Sequence, residues 1–350
     1  MDMMTNSEVV EYLGLPESII NDLATQQGST WVATANQFLQ ELINKIVYQT
    51  VDSFGWDNPF KKYDGFPVNY GDSIENIFVE VPKGYQFDKD ATDPFTKAKH
   101  SVKVLYAKIN YEMQYQATIE DALLRRACLN EYGFMNIVNS ILRSLSTAKN
   151  LDEYFATIRC LNNPEIFGNS TGTVGSKEFA ELDLSDLSTD SEKAKALTEK
   201  IVDDYTSFKL PKTTNNALQV DTASNDSDIL LIIKRSLYNK INLDYLTGVF
   251  NLEKIDLIKR IQVVDSFQVE YLDENEEKQI AGEDLGFMIV DTRGFDNHVA
   301  LQDGGLIYNP KGKYTNHFLN LWKVISFKYF YNATAYKVTW SATSDDNQGE

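Results

Sequence analysis

The chain has 350 residues, with 33 Lys and Arg against 51 Asp and Glu, a formal net charge of −18 at pH 7. That length allows one or two domains with a sizeable core. A content of 43% hydrophobic and 24% charged residues is that of a globular protein rather than a disordered one. The acidic balance argues against a sequence-independent nucleic-acid binder, which neutralises phosphates with clustered Lys and Arg, and equally against attraction to anionic membranes. The two cysteines, Cys128 and Cys160, stand far apart and in no CxxC arrangement, so neither a disulfide scaffold nor a Cys-rich zinc site is expected. Residues Met1 to Glu8 are acidic and polar, so no signal or transit peptide is expected, and no apolar run approaches the ~18 residues of a membrane span. The glycosylation triplets at Asn169, Asn225 and Asn332 then read as chance matches.

Residues 1–33 hold two short helical patterns, broken at Gly14-Leu15-Pro16 and at Gly28-Ser29. Thr34 and Gln37 have capping-box spacing, and Leu39, Leu42, Ile43, Ile46, Val47 and Phe54 follow as one apolar stripe. The character changes over 57–117. Ile74, Ile77, Phe78, Val79 and Val81 form one strand pattern, and a second runs from Val102 through Leu105 to Tyr111, Met113 and Tyr115. Such a two-stranded ribbon is marginally stable alone and needs a surface, its own body or a neighbouring subunit. Between Gly133 and Pro164, Phe134, Ile137, Val138, Ile141, Leu145, Ala148, Phe155 and Ile158 follow helical spacing. A continuous helix there is ~40 Å long. Asn150 and Glu153 have the spacing to cap a second helix, which leaves a break near residue 150 as the alternative.

From 165 to 187 the chain is rich in Gly, Ser and Asp and reads as an exposed loop. Thr189 and Glu192 open a capped helix with the stripe Leu197, Ile201, Val202 and Tyr205. Residues 228–267 read as an Ile/Leu strand run (Ile229 to Ile233), a helical stretch ending near Phe250, and a second strand (Ile261 to Val264). A polar hairpin around Asp273 to Glu277 and an apolar run from Phe287 to Val290 follow. Between Tyr314 and Trp340 the chain is dense in aromatics and alternates, with Phe318, Trp322 and Val324 opposite Leu319, Leu321, Ile325, Phe327, Tyr329 and Tyr331. A strand apolar on both faces is expected to be buried on both, in a central layer beside the long helix.

Several patterns invite a chemical reading. Gly168-Asn169-Ser170-Thr171-Gly172 is a literal G-x-S-x-G, with His298 and His317 downstream as candidate bases, which would make the chain a serine hydrolase using Ser170. That chemistry needs a strand before the Ser and a helix after it, and the flanking Asn, Pro, Gly and Ser residues supply neither, so a flexible loop is the preferred reading. The stretch Gly168 to Lys177 does not follow the phosphate-loop order. His100, His298 and His317 lack ligand spacing. Asp183, Asp186 and Asp190 read as helix-capping and dipole compensation rather than as Mg²⁺ ligands. The aromatic C-terminal segment carries only Lys311, Lys313, Lys323, Lys328 and Lys337, so core packing is preferred to a base-stacking platform. No catalytic, cofactor or metal site is expected, and no enzyme activity.

The order of helical arm, extended ribbon, long helix, inserted mixed lobe and returning strand resembles the Hong Kong 97-type fold of tailed-phage major capsid proteins. Local sequence is similar to the major head proteins of phi-twenty-nine-like podoviruses. Asn58-Pro59-Phe60-Lys61-Lys62-Tyr63 resembles that family's entry to the extended loop, and Ser73-Ile74-Glu75-Asn76-Ile77-Phe78 its first ribbon strand. Ile119-Glu120-Asp121 and Leu151-Asp152-Glu153-Tyr154 resemble the flanks of its spine helix. Leu230-Leu231-Ile232-Ile233, Asp244-Tyr245-Leu246, Val249-Phe250-Asn251 and Val263-Val264-Asp265-Ser266-Phe267 look like its axial domain. Asn309-Pro310-Lys311-Gly312-Lys313-Tyr314, Trp322 and Asn332-Ala333-Thr334-Ala335 resemble its closing strand.

The resemblance implies an α+β chain divided into an N-terminal arm (1–56), an extended loop (57–117), the spine helix with the first part of the peripheral domain (118–164), an axial domain (165–305) and the rest of the peripheral domain (306–350). It implies a structural subunit that assembles with itself into pentamers and hexamers of an icosahedral or prolate head. The implied partners are a scaffolding protein, a portal protein at one vertex and enclosed double-stranded DNA, with assembly in the host cytoplasm. Some relatives join neighbours through a Lys–Asn isopeptide bond. No spacing identifies such a pair here, so contacts between copies are expected to be non-covalent. Because the sequence stops at Glu350, an immunoglobulin-like decoration is not expected. An encapsulin-like compartment shell shares the fold and is the nearest alternative. The charge of −18 then suits a shell that encloses DNA while binding it weakly.

Overall fold

The computed structural model describes residues 5–26, 28–48, 56–69, 71, 73–82, 84, 89, 101–129, 133–241, 260–272 and 278–340. In chain order the elements are α1 (Asn6–Leu13), α2 (Ser18–Thr25), α3 (Gly28–Tyr48), β1 (Ile74–Val79), β2 (Val102–Ala107), β3 (Tyr111–Glu120), α4 (Asp121–Leu129), α5 (Gly133–Leu161), β4 (Ala180–Asp183), α6 (Asp190–Phe208), β5 (Ile229–Lys234), α7 (Arg235–Tyr238), β6 (Ile261–Val264), β7 (Val269–Leu272), β8 (Lys278–Ala281), β9 (Phe287–Asp291), β10 (His298–Asn309), β11 (Tyr314–Val324) and β12 (Ala333–Thr339). They fall into two compact units, the first comprising 1–72, 109–156 and 298–324, the second 73–108, 157–297 and 325–350. No helix among the described residues is long and apolar enough to cross a membrane.

The first unit joins three N-terminal helices to a three-stranded antiparallel sheet of order β10-β11-β3. A full capping box opens α1. Thr5 Oγ1 accepts from the Glu8 backbone N–H, and the Glu8 carboxylate accepts from the Thr5 N–H. Gly14 closes the helix with φ of 74°, a conformation that glycine adopts without a Cβ penalty. Val9, Val10, Leu13, Ile19, Leu23, Trp31, Phe38 and Leu39 bury against Tyr115, Ile119, Leu145, Leu319 and Leu321, forming one core. The third helix differs from the sequence expectation. It begins at Gly28, not at Thr34, and the Thr34 hydroxyl bonds back to the Thr30 carbonyl and to the Gln26 side chain. Trp31 explains the earlier start. It is 2% exposed, its indole N–H donates to the Leu23 carbonyl, and the Arg125 guanidinium covers its ring at 4.2 Å. Phe54, the last residue of the expected stripe, lies outside the described residues.

The run from Val102 to Tyr115, read above as one strand, is two. It breaks at residues 108–110, after which β3 leaves the ribbon and pairs with β11 from Tyr111↔Lys323 to Glu120↔Tyr314. The long helix is continuous. α5 runs 29 residues through Asn150 and Glu153, which cap nothing and instead reach across to other segments.

In the second unit the five-stranded sheet has order β4-β12-β9-β5-β6, parallel at β4/β12 and β5/β6 and antiparallel at β12/β9 and β9/β5. Five successive residues are buried in both β5 and β9, which marks strands covered on both faces. The capping box of Thr189 and Glu192 opens α6 as expected. Its Leu197, Ile201, Tyr205 and Phe208 pack into a core with Ile229, Leu231 and Ile233 of β5 and with Phe287 and Ile289 of β9. The polar hairpin is present as the antiparallel pair β7 and β8, its turn lying outside the described residues. So does the helical stretch near Phe250.

The aromatic C-terminal segment is two strands, not one. β11 belongs to the first unit's sheet and β12 to the second's. Only one face of β11, Thr315, His317, Leu319, Leu321 and Lys323, is fully buried, and the Phe318 and Trp322 face is half-buried. Between the strands, Phe327 and Phe330 are buried in irregular backbone.

Candidate assembly surface

Strict alternation gives the β1/β2 hairpin two unlike faces. Asn76, Phe78, Lys103 and Leu105 form the half-buried face. Asn76 Nδ2 donates to Asp296 Oδ2 at 2.6 Å, and the Phe78 ring stacks on Phe330 with centroids 5.2 Å apart, both within the second unit. Asp296, 1% exposed, also holds Lys328 at 3.3 Å. The opposite face carries the pairs Ile77↔Val104 and Val79↔Val102, with Tyr106 donating to Glu75 at its end. Ile77, Val79 and Tyr106 are 57, 55 and 65% exposed, and Val81 beyond the strand is 68% exposed. Scattered exposed apolar residues are ordinary, whereas a contiguous row set by strand register is a candidate interaction surface.

Within the first unit, residues 56–68 form a strap held down side chain by side chain. The Trp56 carbonyl accepts from Asn150 Nδ2 at 3.0 Å. Phe60, 1% exposed, stacks on Tyr154 at 5.7 Å, and Trp56 meets the same ring edge-on at 5.0 Å. Burial pushes the Tyr63 phenol up to about 12. Further along, the His298 ring packs 4.6 Å from Phe66 and its Nδ1 lies 2.7 Å from the Phe66 carbonyl. A Cβ on Gly65 would run into that imidazole ring, so the close crossing requires glycine. The Val68 N–H then donates to the Val299 carbonyl.

The strap's central tie is a cluster of buried charges. Lys323, on β11 and 2% exposed, lies 2.7 Å from Asp64 Oδ2 and 3.5 Å from Glu153 Oε2. Lys149 on α5 lies 4.0 Å from Glu153 and donates to the Gln302 side chain. Burial draws the Lys149 ammonium down, and the Glu153 carboxylate opposes that. The two lysines each face a carboxylate, and Lys61 lies near enough to add to the positive charge felt by Lys149.

The sequence-level candidates for chemistry sort differently. Ser170 Oγ is buried without a hydrogen-bond partner, between a 3-10 turn at Pro164–Ile166 and the bridge Thr171↔Glu178, with no strand before it and no helix directly after. Among the described residues no base is bonded to it, and the hydrolase reading has no support. Asp183 accepts from the Ser185 N–H in a local turn and Asp190 from the Trp340 indole. Among the described residues no group of His, Cys, Asp and Glu could hold a metal ion. His100 lies outside the described residues. Asn332, a glycosylation triplet in sequence, is 1% exposed and bonded to Thr222, Ser224 and the Phe208 carbonyl. Burial raises the Cys160 thiol to about 12, which leaves it an inert packing residue.

His317 lies fully inside, 0% exposed, with neither ring nitrogen hydrogen-bonded. Burial lowers its pKa to about 4. The unfolded chain takes up this proton near 6.5 and the folded chain does not until about 4, so stability falls as pH drops through that window. His317→Leu is expected to flatten the pH dependence of the unfolding temperature between pH 6.5 and 4. An unchanged slope would mean that another group carries it.

Against known structures, the chain matches the capsid of Staphylococcus phage Andhra with a TM-score of 0.62 at 12% identity, over 84% of this chain and 87% of that one. It matches the capsid of cyanophage P-SCSP1u at 0.52 and 9% identity, over 84% and 92%. The fold is therefore the Hong Kong 97-type α+β fold of tailed-phage capsid subunits. Among curated proteins it is 26% identical to the major capsid protein of Bacillus phage B103, over 98% of this chain and 77% of the relative, and 24% identical to that of Streptococcus phage Cp-1, over 85% and 81%. The family model for Phi29-like phage major capsid proteins matches residues 21–337, and the chain belongs to that family. Its role is structural, as a component of the phage capsid, and not enzymatic.

Proposed function

We propose that the subunit assembles with itself into pentamers and hexamers and that the β1/β2 hairpin is the arm that reaches the neighbouring copy. The observation that carries this reading is the apolar row Ile77, Val79, Val104 and Tyr106, left exposed on a hairpin whose other face is already satisfied. A head-to-tail contact of an arm with a different patch on the next copy is heterologous and closes into rings. In domain terms the chain would divide into an N-terminal arm (1–56), an extended loop (57–117) that carries the hairpin, the spine helix with the first part of the peripheral domain (118–164), an axial domain (165–305) and the rest of the peripheral domain (306–350). The pairing of β12 with β4 and β9 in one sheet argues for counting β12 with the axial strands instead.

The partners that follow are a scaffolding protein during assembly, a portal protein at one vertex and packaged double-stranded DNA, with assembly in the host cytoplasm. The net charge of −18 supports a shell that holds DNA weakly, since each fixed cation facing the genome would add phosphate attraction. The named relatives are phage capsid proteins, which favours a virion shell over a protein-filled compartment. Negative-stain microscopy of the protein co-expressed with its neighbouring genes is the test. Closed shells or ring-shaped capsomers are expected, and a persistent small monomer would overturn the reading.

A further inference from the structure

Three side chains at the strap's central tie have the composition and spacing of a self-forming amide cross-link. Lys323 Nζ lies at 2.7 Å from the Asp64 carboxylate, and the Glu153 carboxylate lies at 3.5 Å from the same nitrogen. The Lys323 and Glu153 side chains are each 3% exposed and that of Asp64 is 20% exposed, so little water competes for the reacting groups. From this geometry we infer that Lys323 and Asp64 condense within one chain into an isopeptide bond, with Glu153 as the general base.

The chemistry needs nothing beyond these three residues. The first step passes a proton along the existing hydrogen bond from Nζ to Oδ2, which gives a neutral amine facing a carboxylic acid. The Nζ lone pair attacks Asp64 Cγ. Glu153 takes a proton from the attacking nitrogen and delivers it to the departing hydroxyl, so the N–C bond forms as the C–O bond breaks and one water leaves. Nothing is oxidised or reduced. β11, α5 and the stacked strap hold the groups in contact distance, which supplies the effective concentration that free lysine and aspartate lack. The product also rebalances the interior. One cation and one anion disappear together, and Lys149 and Glu153 remain as a matched pair at 4.0 Å.

The bond would tie residue 64 to residue 323, just upstream in sequence of the hairpin arm, and would leave contacts between copies non-covalent. It does not depend on the assembly reading. Intact-mass spectrometry of the denatured full-length protein tests it. The expected mass is that of the sequence less one water, and trypsin should release a branched peptide joining Tyr63–Lys83 to Tyr314–Lys328, uncut at Lys323. Lys323→Arg and Glu153→Gln should each restore the full mass. Asp64→Asn should lose ammonia in place of water, which separates cross-linking from simple dehydration even where one variant folds poorly. The full, unmodified mass in folded wild-type protein would overturn the inference.

Discussion

Val104→Asp, combined with Ile77→Asp, is expected to abolish shell formation while leaving the subunit folded. The two residues face each other across the hairpin and form the middle of its exposed apolar row. Neither belongs to either core described above, and Ile77 and Val104, at 57 and 39% exposure, lie at the surface, so the substitutions leave those cores intact. In an assembled contact the same charges would be desolvated without partners. A central interface residue is worth roughly 2 kcal/mol or more, which is about 30-fold in one contact's equilibrium constant and recurs at every subunit. Sedimentation should show unassembled subunits with the far-ultraviolet circular dichroism of wild type. Normal shells from the double variant would remove the hairpin face from the assembly mechanism. Tyr106→Ala should act in the same direction but more weakly, because its ring sits at the end of the row beside Glu75.

Lys323→Met is expected to destabilise the first unit by roughly 3–5 kcal/mol, because it takes the cation away from the buried Glu153 carboxylate and the part-buried Asp64 carboxylate. The effect holds whether the Lys323–Asp64 pair is ionic or condensed, since the substitution removes either form. At the usual conversion the unfolding temperature of unassembled subunits should fall by roughly 10 °C. Hydrogen exchange should show the strap opening first, since Asp64 is its central anchor. Adding Asp64→Asn should recover part of the loss by removing one of the stranded charges. A change below ~1 kcal/mol would place Lys323 among ordinary surface pairs.

The parts of the fold that were legible in the sequence are those specified locally. The β5 and β9 runs, the Thr189–Glu192 cap of α6 and the unbroken apolar spacing between Gly133 and Pro164 each state their own structure within a few residues. What escaped was set by distant partners. The pause at 108–110 carries no Gly or Pro, yet β3 departs there because β11 pairs with it. The aromatic tail alternates through residues 325–332 like a strand. Its Phe327 and Phe330 are buried instead by Phe295 and Phe78, in irregular backbone that ends β11 and begins β12. Gly28-Ser29 looked like a helix break until Trp31 found the Leu23 carbonyl.

The strap was the least legible feature. Its anchors, Asp64 with Lys323 and Phe66 with His298, lie more than two hundred residues apart. Asn150 and Glu153 read in sequence as capping residues, and Glu153 also as part of the spine-helix flank, because nothing local shows that they face Trp56 and Lys323. The hairpin's exposed face was legible in part. Its alternation was plain, but which side is already occupied depends on Asp296 and Phe330.

Cryo-electron microscopy of assembled shells, at a resolution that traces the hairpin, measures the central claim directly. The expected map has Ile77, Val79, Val104 and Tyr106 of each subunit covered by the adjacent copy, with the Asn76 and Phe78 face turned back to its own chain. A shell in which that apolar row faces solvent in every subunit would contradict the account.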